Sequence, residues 1–417
     1  MENIHGTICA VGGGKGGVGK SLVSVNIACA LALKGHEVIL IDADLAGANV
    51  HTMFGIRHPP MSLNEFVNGT VEAIEDILVS TPLKNLKLIC GATDFIDLAN
   101  PGIVKKQKII RAINGLSADY IVVDIGAGST LNNLDFFNMA DMCILVTTPD
   151  PTAILGCYEF LKLAVRRKIL NAFADNPQTK ESIAALITGS GGDKTRRVGE
   201  VIDALKGIDV WAVDRIHSLI RDMNVRLVVN CAAPPEGDKV HRALAGISMQ
   251  YLNLALPLMG NIPRAAEIER SVRSMTPIML SGHKTAAAPF VEIALKIASE
   301  TALNSQTNSF IPEEPDFRET GERFVKSDSM ACFNDVVVRV GKTLRIQTED
   351  LGPEKSLVQT LVFLDGKIVF SRENKYSDLG VKGASNNSVS EMARWQHKGI
   401  VHGIKEGKID KRIQEKV

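Results

Sequence analysis

Short, almost continuously apolar runs recur along the first 230 residues: Thr7–Val11, Val38–Ile41, Leu86–Cys90, Tyr120–Val123, Met142–Val146 and Arg226–Asn230. They do not alternate apolar with polar, so they read as strands buried on both faces, the pattern of a parallel sheet. Segments with helical apolar spacing, Leu22–Leu33 and Tyr158–Arg167, stand between them. Strand and helix in turn predict an α/β fold, a doubly wound, mainly parallel sheet with helices on both faces. Ahead of the strand at Leu227 the spacing predicts three further helices, Gln178–Leu186, Lys194–Leu205 and Val213–Met223, an insert over about residues 172–225. Residues 303–332 are polar, carry Pro312 and Pro315 among acids, and predict a linker. Beyond it, strands are expected at Val336–Val340, Thr343–Thr348, Leu357–Leu364 and Lys367–Ser371, with Asp365-Gly366 as a type I′ hairpin signal. A helix follows from Ser388 to His402. The expected domains are 1–302, α/β, and 333–417, small α+β, joined by 303–332.

Length and composition narrow this little. At 417 residues, two or three domains fit, and 45% hydrophobic residues with a mean hydropathy of +0.08 are globular values. Lys plus Arg equals Asp plus Glu at 47 each, so no bulk basic charge points to nucleic acid. None of the seven cysteines (9, 29, 90, 143, 157, 231, 332) forms a C-x-x-C pair, which disfavours an iron–sulfur role. Met1–Gly6 is no signal peptide and no apolar run reaches membrane-span length, so a cytoplasmic protein is the simplest expectation.

The chemistry concentrates in Gly12-Gly13-Gly14-Lys15-Gly16-Gly17-Val18-Gly19-Lys20-Ser21, where Gly14–Ser21 fits G-x-x-x-x-G-K-[ST]. Glycines let successive backbone N–H groups turn inward into an anion cradle, Lys20 supplies a charge to the terminal phosphates, and the Ser21 hydroxyl can ligate Mg²⁺. The helix opening at the loop aims its dipole at the same phosphates. A bound nucleotide is the expectation. Asp42 and Asp44 follow the second strand and Asp124 ends the one at Tyr120, at the carboxyl ends where ligands of parallel sheets sit. Glu349, Asp350 and His397 are expected to be structural.

Lys15-Gly16-Gly17-Val18-Gly19-Lys20-Ser21 resembles the deviant loop of the MinD/ParA family of ATPases. The resemblance implies a P-loop NTPase fold, ATP with Mg²⁺, and a homodimer in which Lys15 contacts the partner's nucleotide. Asp42–Val50 is similar to the family's first switch, implying that Asp44 orients the attacking water and Asp42 supports the metal's hydration shell. Asp124 falls on the Walker B position, with Gly126 and Gly128 in the second switch. The metal set so implied is Ser21, Asp42 and Asp124, and the catalytic set Lys15, Lys20 and Asp44. The nucleotide-binding set is Gly14, Lys15, Gly16, Gly17, Val18, Gly19, Lys20, Ser21 and Leu22, with Asn230 reading adenine and Pro263 flanking the base. Thr147-Thr148-Pro149-Asp150-Pro151-Thr152 is close to the FlhG branch, which numbers flagella or regulates polar machinery. About six residues precede the first strand, where FlhG proteins carry an activating helix. A slow, partner-stimulated ATPase controlling localisation or assembly is implied, cytoplasmic or peripheral at the inner membrane or cell pole. The alternatives are a partitioning ATPase that binds DNA, supported only by Lys194, Arg196 and Arg197, and a nucleotide-gated adaptor. Residues 333–417 resemble no family, and the basic tail Lys405–Lys416 matches the family's membrane-targeting helix poorly.

Overall fold

The computed structural model describes residues 6–45, 47–91, 103–174, 177–188, 197–206, 210–309, 332–339, 342–351, 355–364, 367–375 and 386–405. The chain divides into two compact units, Met1–Ile169 with Thr195–Ile202 and His217–Glu313, and Leu170–Lys194 with Asp203–Ile216 and Glu314–Val417. The elements in order are β1 (Thr7–Gly12), α1 (Lys20–Leu33), β2 (Val38–Ala43), α2 (Leu63–Val67), β3 (Leu78–Ser80), β4 (Leu86–Ile89), α3 (Ile103–Gly115), β5 (Tyr120–Ile125), α4 (Leu131–Asn138), β6 (Met142–Thr147) and α5 (Pro151–Ala172). Then come α6 (Pro177–Thr188), α7 (Val198–Leu205), α8 (Val210–Arg221), β7 (Val225–Asn230), α9 (Pro234–Leu252), β8 (Leu258–Ile262), α10 (Ala266–Arg273) and α11 (Lys284–Ser309). The last are β9 (Cys332–Arg339), β10 (Lys342–Asp350), β11 (Leu357–Leu364), β12 (Lys367–Lys375) and α12 (Asn386–Lys405).

The first unit holds an eight-stranded sheet ordered β3-β4-β2-β5-β1-β6-β7-β8, parallel throughout except for β3 against β4. Alternate strand residues divide its two faces. Cys9, Val11, Leu40, Val122 and Ile144 share a core with Val23, Ile27 and Leu31 of α1 and Phe290 and Ile297 of α11. On the other face Gly12 lies under Phe137 of α4 and Phe160 of α5, whose rings meet edge to face at 5.0 Å. Helices therefore cover both faces, as a sheet of apolar runs demands. The order starts in the middle with β1 and moves outward to either side, so β2, β5, β1 and β6 bring their carboxyl ends together.

Short β3, which runs antiparallel at the edge, carries too little pattern to predict. Among the described residues the insert is helical as expected, but α7 begins at Val198, and 189–196 lie outside the described residues. The linker expectation needs correcting at its start. Helix α11 continues to Ser309, into the stretch read as linker from 303. Residues 303–309 contain neither Pro nor Gly, so nothing stops the helix. Residues 310–331 and the Asp365-Gly366 turn lie outside the described residues.

In the second unit, β12-β11-β10-β9 form a fully antiparallel sheet, and α12 lies on β9, β10 and β11. Leu344, Ile346, Val362, Leu364 and Val369 meet Ile400, Val401 and Ile404 in its core. A polar quartet is buried beside them. Thr348 and Thr360 are cross-strand partners with hydroxyls 2.6 Å apart, His397 Nδ1 lies 2.9 Å from the Thr348 hydroxyl, and Gln396 Nε2 donates to Thr360 Oγ1 at 2.9 Å. His397 is thus a structural residue of the helix–sheet junction.

Candidate nucleotide site

β1 delivers the chain into the glycine loop, and α1 leaves it at Lys20. Several glycines of the loop leave no room for a side chain, and two are the tightest. A Cβ on Gly14 would stand 1.9 Å from the Gly156 carbonyl oxygen of α5, so the loop can lie against that helix only without a side chain. Gly19 has φ +94°, and a Cβ there would meet Asn230 Nδ2 at 2.2 Å. No side chain caps α1 and no acid occupies its first turn, which leaves its leading N–H groups for an anion. Lys20 is 8% exposed there; burial pulls its ammonium pKa down, against the opposing charges of Asp124 and Asp44. Leu22, half-buried, packs against the core below.

The strand register places the carboxylates. Asp42 and Asp124 are neighbours on paired β2 and β5, and Asp124 also neighbours Val11 on β1. Asp124 accepts hydrogen bonds from Ser21 and, at 2.7 Å, from Ser24. Burial pushes its carboxyl up to about 6, held back by those hydroxyls and Lys20. Asp42 turns toward the first switch, accepting from Val50 N at 3.0 Å and Asp44 N at 3.2 Å. Burial, with Asp124 nearby, pushes it up to about 7. Asp44 Oδ1 accepts from Gly47 N at 3.1 Å, and a Cβ on Gly126 would lie 2.9 Å from that oxygen, so the first switch rests on the second. Ala46 of the first switch lies outside the described residues.

Asn230 ends β7 beside Ile262 of β8, which brings exposed Pro263 to the same rim. The Asn230 Nδ2 donates to Val18 O at 2.9 Å, which ties one of its two amide hydrogens to the glycine loop and leaves the second for an adenine edge. Lys15 stands apart. It is exposed, with Nζ 3.3 Å from Asp150 Oδ2 and hydrogen-bonded to Thr152 Oγ1. Sequence reasoning named neither partner in a role, although both lie in the T-T-P-D-P-T run. It also missed Ser24, one helical turn past Lys20, and Asn133. The Nδ2 of Asn133 lies 3.1, 3.0 and 2.9 Å from the carbonyl oxygens of Gly126, Ala127 and Gly128.

The half-buried Ser21 hydroxyl in the first turn of α1 and the buried Asp124 carboxylate of β5, under a glycine cradle with a lysine, fit the phosphates and hydrated Mg²⁺ of a nucleotide. Among the described residues, no group of three or more His, Cys, Asp or Glu could by itself hold a metal. A cation here would take most of its ligands from water and phosphate.

The chain is similar in sequence to several known proteins. Residues 4–169 match the family model of ParA, described as NUBPL iron-transfer P-loop NTPase. Antiactivator FleN of Pseudomonas aeruginosa is 33% identical over 197 residues, 45% of this chain and 69% of that protein. The flagellum site-determining protein YlxH of Helicobacter pylori is 34% identical over 38% of this chain and 54% of its own length. The septum site-determining protein MinD of Thermotoga maritima is 32% identical over 36% and 55%. For these last two, the chain spans about half of the relative's length. Among solved structures, the cell division ATPase MinD of Pyrococcus furiosus aligns at TM-score 0.48 and 20% identity, over 71% of this chain and 99% of that one. On its glycine loop, its strand-end aspartates and its likeness to FleN, the chain belongs to the ParA/MinD family of P-loop NTPases.

Proposed function

We propose that this protein is an ATP-dependent dimerising ATPase switch that controls where a cellular machine is placed or assembled, as the site-determining names of YlxH and MinD describe for those relatives. The observation that carries the reading is the division of labour between two lysines. Lys20 is buried inside the phosphate cradle, whereas Lys15 stands exposed on its rim and is held by Asp150 and Thr152. One loop needs only the first lysine to neutralise its own nucleotide. The second is free to exchange an exposed ion pair, cheap to break in water, for a phosphate presented by another copy.

Gly14–Ser21 would bind the phosphates, and Asn230 and Pro263 would border the base. Ser21 and Asp124 would hold Mg²⁺, with Asp42 ordering the first switch beside it; the bound cation supplies charge compensation for the phosphates. Asp44, which rests on Gly126, would orient water, since phosphoryl transfer asks mainly for positioning. Turnover is slow until a protein partner completes the site. The protein works in the cytoplasm, with the inner membrane or cell pole as its peripheral destination and DNA as the weaker partner. Cluster transfer, which the family model's description would suggest, is poorly served among the described residues: Cys9, Cys29, Cys90, Cys143 and Cys157 are all buried and Cys231 alone is exposed. Among the described residues no helix is long and apolar enough to cross a membrane.

Light scattering with ATP, ADP and no nucleotide tests the switch. Asp44→Ala should bind ATP and accumulate as a dimer. Lys15→Ala should bind nucleotide yet stay monomeric, alone and combined with Asp44→Ala. A Lys15→Ala protein that dimerises normally, or an Asp44→Ala protein monomeric in ATP, overturns the proposal.

A further inference from the structure

The second switch is held by one side chain that the ATPase reading does not use. Asn133 occupies the first turn of α4, 8% exposed, with its backbone N–H accepted by the Thr130 hydroxyl at 3.2 Å. A helical Cα–Cβ bond tilts toward the helix N-terminus, so this side chain reaches back over the loop that leads into its own helix. There its two amide hydrogens are shared among three successive carbonyls, Gly126, Ala127 and Gly128, at 2.9–3.1 Å.

Three consecutive carbonyls aimed at one donor fix the intervening peptides. In a trans peptide the N–H of the next residue points opposite to the C=O. The N–H groups of Ala127, Gly128 and Ser129 therefore point away from Asn133. Ala127 also marks where the loop meets the phosphate cradle, its Cβ lying 3.7 Å from where a Cβ on Gly16 would stand. Gly128 takes φ +86°, which lets the chain make this turn. The helix that follows the loop is itself anchored. Asp135 of α4 is bonded to Lys106 and Arg167, and Asn138 Nδ2 donates to Ala164 O of α5 at 2.9 Å.

We propose that Asn133 is the positioning residue of the second switch, a carbonyl clasp that pre-sets the loop so that its amides and Gly126, the seat of Asp44, face the γ-phosphate side. The proposal rests on the ATPase reading above, and Asn133 acts through the loop without touching substrate. An isosteric carboxylate keeps the shape but has no donors and repels all three carbonyls. Asn133→Asp should therefore release the loop while leaving the fold and the glycine cradle intact.

The test combines hydrogen exchange with nucleotide binding and turnover on the full-length protein, using Asn133→Asp and the apolar isostere Asn133→Leu. Both variants should speed amide exchange across residues 126–131 in the nucleotide-free protein. Both should keep the wild-type affinity for ADP, which lacks the γ-phosphate, and lose kcat by roughly ten- to a hundredfold, as misplaced catalytic groups do. Unchanged exchange, or faster exchange with unchanged kcat, overturns the clasp. So does a parallel loss of ADP affinity and melting temperature, which would mark a purely structural role. A wild-type protein with no ATP turnover would instead refute the ATPase reading, and the exchange experiment would still judge the clasp.

Discussion

Asp135 is the most consequential buried charge outside the nucleotide site, and its removal should be costly. Its carboxylate is 9% exposed and bonds the Lys106 ammonium, 8% exposed, together with Arg167 Nε at 2.8 Å and Nη2 at 3.0 Å. Burial alone would raise its pKa, but the hydrogen bonds and charges of Arg167 and Lys106 outweigh it, and the net shift is downward from 3.8. Asp135→Ala leaves Lys106 buried without its counter-charge, which costs about 3–5 kcal/mol by the usual penalty for breaking a buried pair. Arg167, 28% exposed, recovers water more easily and adds little. At about 2 °C per kcal/mol for a large domain, the first unit should melt about 6–10 °C lower. Thermal melting and urea titration, following the first unit's transition, measure it. Adding Lys106→Met should restore much of the loss, because an apolar replacement ends the uncompensated charge. The sign with pH follows from the downward shift. Asp135's contribution is present above its unfolded pKa and fades as pH falls through the depressed folded value, so wild type and variant should converge in acid. A variant that melts with the wild type, or a double variant no better than the single one, would refute the reasoning.

Gly19→Ala should cost nucleotide affinity more than fold stability, because φ +94° and the 2.2 Å approach to Asn230 Nδ2 displace the mouth of the loop while the sheet stays intact; calorimetry with ATP against the melting curve separates the two. In the second unit, Thr348→Val should destabilise by about 1–3 kcal/mol, since it removes the buried hydroxyl that bonds both His397 Nδ1 and the Thr360 hydroxyl. Nucleotide binding should be unaffected, and a neutral result in urea denaturation would remove the quartet from the account.

The sequence by itself determined the sheet and the phosphate loop. Apolar runs such as Val38–Ile41 and Tyr120–Val123 could be satisfied only by burial on both faces, and Gly14, Gly19, Lys20 and Ser21 lie so close in the chain that their spacing is already their geometry. Asp42 and Asp124 were legible for the same local reason, as acids at strand ends. Contacts across long stretches of chain were not. That Lys15 rests on Asp150 and Thr152, that Asn230 holds Val18, and that Asp135 gathers Lys106 and Arg167 depend on strand order and helix docking, which bring together residues more than a hundred positions apart in the first two cases. The strand order β2-β5-β1-β6 is likewise tertiary, since each run reads alike and only packing decides which are neighbours. Helix α11 passed its expected end because local composition marks where a helix can stop, whereas nothing in 303–309 obliges it to. Asn133 is the clearest case of all. Its partners sit only five to seven residues upstream, yet an asparagine in a first helical turn looks the same whether it faces water or clasps three carbonyls, and only the folded turn tells them apart.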